Sequence, residues 1–426
     1  MLDIRWLRAE PDLVKNVLAK RDSSLSEAVD DILASDEARR EAIAEVNELK
    51  ARRNAVSKEV GELKRAGEDA LDIIEQMRTL GVRISELDAI VREADESIRE
   101  ALLLIPNAPY ERVPVGDEEQ NEVLSMWGQP PALNFEPKPH WTIGEELGIL
   151  DLKRGGKISG SGFPVLVGQG ARLQRGLINF FLDVHTSEHG YTEVRVPYLV
   201  APDSMIGTGQ LPKFKEESYR TERDGLWLVP TAEVPITNLH RDELLTADDL
   251  PKRYTAYSPC FRREAGAAGK DTRGLLRVHQ FDKVELVRYE KPDRSLEALE
   301  ELTREAEAIL ERLGLHYRRV LLATEDLGQS AAMTYDLEVW APGVEKWLEV
   351  SSCTIFTDYQ SRRANIRFKR AQADKPEYVH TLNGSGLALP RLVAALLETY
   401  QESDGSVSLP EVLYPYVGSE TLTSST

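Results

Sequence analysis

The chain has 426 residues, with 53 basic and 72 acidic side chains and a formal net charge of −19. At about 150 residues per domain, this length predicts two or three domains. The acidic balance argues at first against a polyanionic partner such as nucleic acid. Charged residues form 29% of the chain, which is above the usual proportion and indicates a long water-facing element attached to a globular body.

The cysteine content and the N-terminal segment point to a cytoplasmic protein. Two cysteines, Cys260 and Cys353, are too few for a disulfide framework or a four-cysteine zinc site. Such sparse use is typical of a reducing compartment. Residues 1–21 space their apolar side chains among charges and lack the continuous hydrophobic block of a signal peptide.

Apolar residues recur at alternating steps of four and three in two segments between residues 42 and 105, as in the seam of a coiled coil. The first seam comprises Ala42, Val46, Leu49, Val56, Val60 and Leu63, with Arg53 at its polar position, and the second comprises Ile73, Met77, Leu80, Ile84, Leu87, Val91, Ala94, Ile98, Ala101 and Ile105. Because residues 66–69 interrupt the pattern and Pro106 ends it, we predict an antiparallel helical hairpin of about 50 Å. Two ordinary helices of a bundle are the alternative.

Charge is polarised along this hairpin. Residues 27–49 carry eight acidic side chains, whereas residues 50–65 carry six basic ones. Five of the basic residues lie outside the seam, namely Lys50, Arg52, Lys58, Lys64 and Arg65. Their charges are predicted to contact phosphates of a molecule reached at a distance. A solvated helix face would explain the same pattern.

The rest of the chain is predicted to form a sheet with few helices. Residues 107–149 contain two proline-rich stretches and are predicted to form an extended connector. Helices are predicted at 173–190 and 295–314, and strands at 191–200, 226–235, 253–264, 279–289, 333–342 and 346–356. Because most successive strands lack the crossover that a parallel sheet needs, we expect an antiparallel sheet flanked by helices, in an α+β fold. This succession of strands without intervening helices disfavours a doubly wound dinucleotide-binding fold.

A candidate nucleotide site lies in the segment from residue 260 to residue 285. Arg262 and Glu264, two apart in a predicted strand, would point to the same face. An arginine can bind an α-phosphate and a carboxylate, while a glutamate can accept a hydrogen bond from the amino group of a base. Phe281, on the returning strand with Glu285, offers a stacking surface for adenine. A purely structural hairpin is the alternative.

Two further segments supply residues suited to ATP chemistry. Glu349 and Ser352 offer oxygen ligands for Mg²⁺, and Arg391 lies at a predicted helix start. Each signal is weak alone, because a strand glutamate is often a sheet-face charge and an arginine at a helix start often faces solvent.

The combination of motifs resembles class II aminoacyl-tRNA synthetases. The segment FRRE through RVHQF, the helix and strand ending at Pro197, and GLALPR with Arg391 are similar to the three motifs of that class. The strings GTGQLPKF, PTAEVP and LEVSSCTIFTDYQSRR resemble bacterial-type seryl-tRNA synthetases in particular. The resemblance runs from residue 1 to about residue 417.

This resemblance implies a division into domains. Residues 1–106 would form an N-terminal tRNA-binding domain with the coiled-coil arm, and residues 107–149 a connector into the catalytic domain. Residues 150–417 would form the class II catalytic domain, built on an antiparallel β-sheet flanked by helices. The polar tail 418–426 is expected to be disordered.

The resemblance also implies an activity: ATP-dependent activation of L-serine to seryl-adenylate, then transfer of serine to the 3′-terminal adenosine of tRNA(Ser) and of tRNA(Sec). The enzyme would use Mg²⁺ and no zinc, and would be a homodimer with Pro197 at the interface. The five basic residues of the arm would bind tRNA.

The same resemblance assigns site residues one by one. It places serine binding at Thr231, Ala232, Glu233, Arg262, Glu285 and Ser385. It places ATP binding at Arg262, Arg263, Glu264, Val278, Phe281, Glu349, Val350, Ser351, Ser352 and Arg391. Arg262, Glu349 and Arg391 would be catalytic residues, and Glu349 and Ser352 would bind Mg²⁺. Two departures are Gly162, where the family often has arginine, and Leu389-Pro390, where class II motif 3 is glycine-rich.

Other functions remain as alternatives. A synthetase-like paralogue could load an amino acid onto a carrier protein, or a non-catalytic protein could bind tRNA. The arm argues against the first, and the presence of Arg262, Glu349 and Arg391 argues against the second. His185, Glu188 and His189 spell the HxxEH order of inverted zinc proteases. Because the helix ends at Gly190, these residues are expected on an exposed last turn instead.

Overall fold

The computed structural model describes residues 1–67, 69–265 and 273–424. The chain divides into two compact units, one formed by Leu2–Pro106 and the other by Met1 with Asn107–Thr426. In the part of the chain that is described, no helix combines the length and the apolar character needed to cross a membrane.

The first unit is helical. Its helices are α1 (Ile4–Ala9), α2 (Pro11–Ala19), α3 (Leu25–Ala66) and α4 (Leu71–Leu104). Gly67 ends α3 in the left-handed conformation, with φ of 76°, and its backbone N–H reaches the carbonyls of Leu63 and Lys64. Of the predicted break at 66–69, Glu68 lies outside the described residues. At 1.5 Å per residue, α4 is about 51 Å long, close to the predicted length of the hairpin.

The predicted antiparallel coiled coil is confirmed. Ala42 and Val46 of α3 pack against Leu87 of α4, with Leu49 and Val91 beside them. Ion pairs cross between the two helices, joining Arg39 to Asp95, Glu45 to Arg83 and Lys50 to Asp88. Arg39, early in α3, pairs late in α4, whereas Glu45 and Lys50, farther along α3, both pair with residues earlier in α4, so the helices run in opposite directions.

The basic residues of the arm differ in their surroundings. Lys50 is half-buried, and its Nζ lies 3.1 Å from a carboxylate oxygen of Asp88, so its charge is already paired. The other four predicted contacts are exposed, namely Arg52, Lys58, Lys64 and Arg65. The facing helix therefore already supplies Lys50 with a carboxylate partner, and the contact of the five residues with phosphates stays a prediction.

The second unit combines short helices with a large sheet. Its helices are α5 (His140–Glu146), α6 (Leu152–Ser159), α7 (Gln169–Ser187), α8 (Pro202–Thr208), α9 (Glu233–Thr237), α10 (Ser295–Arg312), α11 (Tyr359–Ala364), α12 (Leu389–Thr399) and α13 (Tyr414–Val417). Its strands are β1 (Glu122–Trp127), β2 (Leu150–Asp151), β3 (Val165–Leu166), β4 (Thr192–Glu193), β5 (Leu199–Val200), β6 (Trp227–Leu228), β7 (Leu244–Thr246), β8 (Lys252–Phe261), β9 (Gln280–Glu290), β10 (Tyr317–Leu321), β11 (Met333–Ala341), β12 (Lys346–Thr357), β13 (Arg367–Lys369), β14 (Glu377–Tyr378), β15 (His380–Ala388), β16 (Val407–Ser408) and β17 (Thr421–Leu422).

The main sheet confirms the predicted α+β class. Among the described residues it has the strand order β1-β10-β11-β12-β15-β9-β8-β4, antiparallel throughout except for the β4–β8 pair. Apolar side chains of α7, α10 and α12 pack with those of the strands in one hydrophobic core. On β9, Val284 and Leu286 belong to this core, so Phe281, Lys283 and Glu285 alternate to the opposite face.

Two local predictions are corrected. Residues 107–149 are not merely an extended connector, because Glu122–Trp127 forms the edge strand β1 and pairs with β10. Of the strand predicted at 226–235, only Trp227–Leu228 is extended, and Glu233–Thr237 is helical. Pro230 lacks a backbone N–H for the sheet, which is a reason for the strand to end before it.

The expected disorder of the tail is wrong for residues 418–424. Thr421 and Leu422 form β17, which pairs with β16, and Leu422 is fully buried in the main core. Residues 425–426 lie outside the described residues. The polar composition of the tail predicted disorder, but its single leucine, Leu422, packs into the core and holds the segment in place.

We therefore expect Leu422→Ala to lower the free energy of unfolding by about 2–5 kcal/mol, the usual cost of a cavity in a core. Denaturant unfolding would measure this. Thr423→Ala changes an exposed neighbour and should have little effect. Equal stabilities of the two variants would mean that β17 contributes no packing.

Candidate active site

A cavity of about 590 Å³ opens on the face of the main sheet. Strands β9, β12 and β15 contribute to its floor, and the segments beside β8 and α12 contribute to its walls. It is lined by many of the predicted residues, namely Thr231, Glu233, Arg262, Glu264, Val278, Phe281, Glu349, Ser352, Ser385 and Arg391. Residues far apart in the sequence thus meet in one place.

Arg262 and Glu264 reach the cavity from a loop and not from a strand. Strand β8 ends at Phe261, and Glu264 has a φ of 52°, in the left-handed region. The guanidinium of Arg262 lies 5.2 Å from the ring centre of Phe281. Glu264 accepts a hydrogen bond of 2.7 Å from Arg277. Both residues line the cavity, but the prediction that they share one face of a strand is wrong, because they lie on a loop after β8.

Two buried carboxylates lie at one end of the cavity and share one amide. Asn383 Nδ2 donates to Glu233 Oε2 at 2.9 Å and to Glu285 Oε1 at 3.1 Å. Thr231 Oγ1 donates to Glu285 Oε2 at 2.9 Å. Glu285 is fully buried behind Thr231 and Asn383, which line the cavity. Burial, together with the charge of Glu285, raises the pKa of Glu233 to about 7.

Three residues of this network were missed by sequence reasoning. Lys283 is buried and forms an ion pair with Glu285. Gln360 donates to Glu233 Oε1 at 2.6 Å and accepts from Thr381 at 2.7 Å. Asn383 is the third. The alternation of β9, which puts Lys283 and Glu285 on one face, is a signal that could have identified the lysine.

A β-bulge brings Glu349 and Ser352 to the same cavity. Residues three apart in a regular strand point to opposite faces. On β12, Glu349 pairs with Glu338 and Ser351 pairs with Leu337, so Val350 has no partner opposite it. Because Val350 is an extra residue in the strand, the side chains of Glu349 and Ser352 point to the same side, although they are three positions apart.

Arg391 lies in the first turn of α12, as predicted, and this helix follows β15 directly. Its Nη1 donates to the side chain of Glu349 at 3.0 Å and to its backbone carbonyl at 3.0 Å. Its Nε donates to the carbonyl of Leu276 at 3.1 Å. The guanidinium is thereby held at the cavity wall beside a carboxylate.

Comparison with known proteins identifies the family. Residues 214–400 match the tRNA synthetase class II core domain of the G, H, P, S and T type, and residues 1–109 match the seryl-tRNA synthetase N-terminal domain. The chain is 55% identical to a serine–tRNA ligase of Gemmatimonas aurantiaca over 98% of this chain and 99% of that protein. The chain belongs to the seryl-tRNA synthetase family. The predicted family, enzyme class and serine–tRNA ligase function are thereby confirmed, whereas the charging of tRNA(Sec) stays a prediction.

Further relatives agree with this assignment. A serine–tRNA ligase of Staphylococcus haemolyticus is 53% identical over 99% of this chain and 98% of its own length. The crystal structure of seryl-tRNA synthetase from Pyrococcus horikoshii complexed with ATP superposes with a TM-score of 0.95, at 39% identity and full coverage of both chains. The fold is thus that of a seryl-tRNA synthetase over the whole chain.

Five residues that the family resemblance assigns to the site do not line the cavity, and one of them is Glu285, which lies buried behind Thr231 and Asn383. Ala232 and Val350 are fully buried in the apolar interior. Ser351 is buried, and its Oγ donates to the carbonyl of Ser385 at 2.6 Å. Arg263 is exposed outside the cavity. Their side chains are therefore neighbours of the seryl-tRNA synthetase site and not part of its surface.

The departure from the family at Gly162 has a local reason. Gly162 has a φ of 82°, and its carbonyl accepts a hydrogen bond of 2.9 Å from the backbone of His279. A Cβ added here would lie 2.5 Å from the His279 ring. That ring in turn stacks on Phe163, with 5.2 Å between ring centres. An arginine at position 162 would require this stack to move.

The HxxEH residues do not form a metal site. His185 is fully buried, and its Nδ1 lies 3.0 Å from Nδ1 of His189. Glu188 is paired with Arg312. The expectation of an exposed last turn is wrong for His185, because the inner face of α7 packs into the core. In the ranges 1–67, 69–265 and 273–424, no cluster of three or more histidine, cysteine or acidic side chains is arranged to hold a metal ion.

Proposed function

We propose that this cavity carries out both half-reactions of seryl-tRNA synthesis with the chain's own residues. The carboxylate of L-serine attacks the α-phosphorus of ATP, which releases pyrophosphate and forms seryl-adenylate. The serine is then transferred to a 3′-terminal adenosine hydroxyl of tRNA. The observation that carries this proposal is the pair of bridged carboxylates, Glu233 and Glu285, in the same cavity as Arg262 and Arg391.

The charges around the cavity support distinct positions for the two substrates. Glu233 suits the ammonium of serine, and the Glu285 network suits its hydroxyl, near Ser385. Arg262, above Phe281, can contact both the serine carboxylate and the α-phosphate, while Phe281 and Val278 enclose the adenine. Arg391 would bind the γ-phosphate. Fixed positive groups of this kind lower the barrier by positioning the substrates and by neutralising the charge that develops on phosphate.

The oxygen-rich part of the cavity supports a site for Mg²⁺. Glu349 and Ser352 line it on one side of β12, and Asp336 faces Ser352 across the strand pair. Asp336 Oδ1 is buried and has no hydrogen-bond partner among the described residues. Oxygen donors are the ligands that Mg²⁺ prefers. We propose Glu349 and Ser352 as ligands; bound Mg²⁺ would neutralise phosphate charge.

Serine binding should depend on pH through Glu233. Because its pKa lies near 7 and so above its ordinary value, the side chain is neutral at lower pH and gains its charge as the pH rises. We expect kcat/KM for serine in pyrophosphate exchange to rise about tenfold between pH 6 and pH 8. Glu233→Gln should lower this value and remove the rise. An unchanged pH profile in that variant would contradict the assigned role.

The arm and the compartment complete the proposal. Arg52, Lys58, Lys64 and Arg65 are exposed, and we propose that they contact tRNA phosphates. We propose tRNA(Ser) as acceptor and tRNA(Sec) as a second acceptor, and parallel charging assays with the two tRNAs test this. We also propose that the protein acts in the cytoplasm, in keeping with its two free, buried cysteines.

We further propose a homodimer with Pro197 at its interface. Pro197 and Leu199 are exposed, beside an open cavity of about 430 Å³ formed by α7 and the segment around Tyr198. Sedimentation equilibrium should give twice the mass of the chain, and Pro197→Arg should lower that mass towards one chain. A wild-type protein that sediments as a monomer would contradict this proposal.

A further inference from the structure

A buried histidine connects two parts of the cavity wall without reaching the cavity itself. His140, the first residue of α5, is fully buried. Its Nδ1 lies 2.7 Å from Oε1 of Glu398, and its Nε2 lies 3.0 Å from the backbone nitrogen of Leu275. Because the backbone N–H of Leu275 can only donate, Nε2 must be the acceptor. The imidazole proton therefore lies on Nδ1 and points at the carboxylate.

Glu398 orients this imidazole from the helix that carries Arg391. The two residues are seven positions apart on α12, about two turns, and so lie on one side of the helix. Glu398 is fully buried and also accepts hydrogen bonds from the backbone nitrogens of His140, at 2.9 Å, and Gly343, at 2.8 Å. A carboxylate held by so many donors fixes the tautomer of His140.

The segment that His140 contacts, residues 274–276, also contacts Arg391. Leu275 and Leu276 line the cavity, and the carbonyl of Leu276 accepts the hydrogen bond from Arg391 Nε at 3.1 Å. Gly274 precedes them with a φ of 69°, and a Cβ there would lie 2.3 Å from His140 Nε2. The backbone thus approaches the imidazole as closely as only glycine allows.

We infer that His140 is a positioning residue for ATP: its neutral imidazole joins Glu398 to Leu275 and so fixes the backbone that orients Arg391. This inference rests on the proposed contact of Arg391 with ATP. The serine end of the cavity depends on other groups, Glu233, Glu285 and Asn383. Loss of the histidine should therefore impair the use of ATP much more than the use of serine.

A pair of amide variants separates the two hydrogen bonds of the imidazole. His140→Gln can place an oxygen near the position of Nε2 and keep the acceptor for Leu275, whereas His140→Asn can keep only a donor for Glu398. In pyrophosphate exchange we expect His140→Asn to raise KM for ATP about tenfold and to leave KM for serine within about twofold. His140→Gln should stay within about threefold of the wild type for both substrates. His316, which directly precedes β10 and lies 2.7 Å from the carbonyl of Trp127 on the edge strand β1, does not line the cavity, so His316→Gln is the control and should match the wild type.

The outcomes that overturn the inference are distinct. Three results would each show that His140 only packs. The first is an unchanged KM for ATP in His140→Asn, and the second is an equal rise of KM for ATP and KM for serine. The third is an equal effect of His140→Asn and His140→Gln on KM for ATP. If the His140 variants do not fold, Gly274→Ala disturbs the same hydrogen bond from the loop side and should raise KM for ATP alone. Arg391→Ala tests separately the proposed contact of Arg391 with ATP. A normal KM for ATP in that variant would contradict the proposed function itself, and with it the role of His140.

Discussion

Replacing Glu285 by alanine is expected to abolish serine activation while ATP binding persists. The buried carboxylate accepts hydrogen bonds from Thr231 and Asn383, which line the cavity. A hydrogen bond to a charged group contributes about 1.5–3 kcal/mol, and alanine also removes the group that holds Thr231 and Asn383 in place. We therefore expect serine-dependent pyrophosphate exchange to fall by at least about 100-fold, with ATP affinity measured by calorimetry nearly unchanged.

The ion pair with Lys283 requires a second variant. Alanine at position 285 leaves a buried ammonium without its partner, which destabilises proteins by about 3–5 kcal/mol. The double variant Glu285→Gln with Lys283→Met removes both charges and should fold while still failing to activate serine. Glu290→Gln is the matched control, because Glu290 is also a buried glutamate on β9. Wild-type exchange in Glu285→Ala would contradict the proposed serine site.

Deleting the tip of the arm is expected to separate the two half-reactions. Removal of residues 50–84, with a short glycine-rich turn in their place, preserves the packing of Ala42, Val46 and Leu87. The second unit, which contains the cavity, is unchanged. We expect normal pyrophosphate exchange and a fall in tRNA charging efficiency of at least about 100-fold, because several basic side chains that would bind phosphates are removed together.

Point variants test whether charge or shape carries this effect. Arg52→Ala with Lys58→Ala and Lys64→Ala should weaken tRNA binding and lower the slope of log affinity against log salt by about one for each phosphate that is no longer neutralised. Glu59→Ala with Glu62→Ala changes exposed residues of the same stretch and serves as the control. If the deleted protein charges tRNA as the wild type does, the arm has another role.

The net charge of −19 was misleading because it is a sum over the whole surface. The acidic side chains between residues 27 and 49 and the basic ones between residues 50 and 65 lie on different parts of one arm. Local patches, and not the total, decide whether phosphates can be bound. The apolar repeat of the arm could be recognised because a long seam needs only local periodicity, and the structure confirms it.

The candidate site was only partly predictable from residue types. Arg262 and Arg391 were found from local sequence and resemblance, and both line the cavity. Lys283, Gln360 and Asn383 were missed because their roles arise from pairing between distant segments. The bulge at Val350 could not be predicted from the sequence either, since it depends on which residue of β11 each residue of β12 faces. Long-range register is what a single sequence leaves undetermined.

The most direct test of the proposed function is the transfer of radiolabelled L-serine to purified tRNA(Ser) by the full-length protein with ATP and Mg²⁺. We predict ATP-dependent label on the 3′-terminal adenosine, with L-alanine and L-threonine inactive. Activation of serine with label on a carrier protein and none on tRNA would point to a carrier-loading paralogue. Binding of tRNA without any pyrophosphate exchange would point to a non-catalytic protein, and either result would contradict the proposed function.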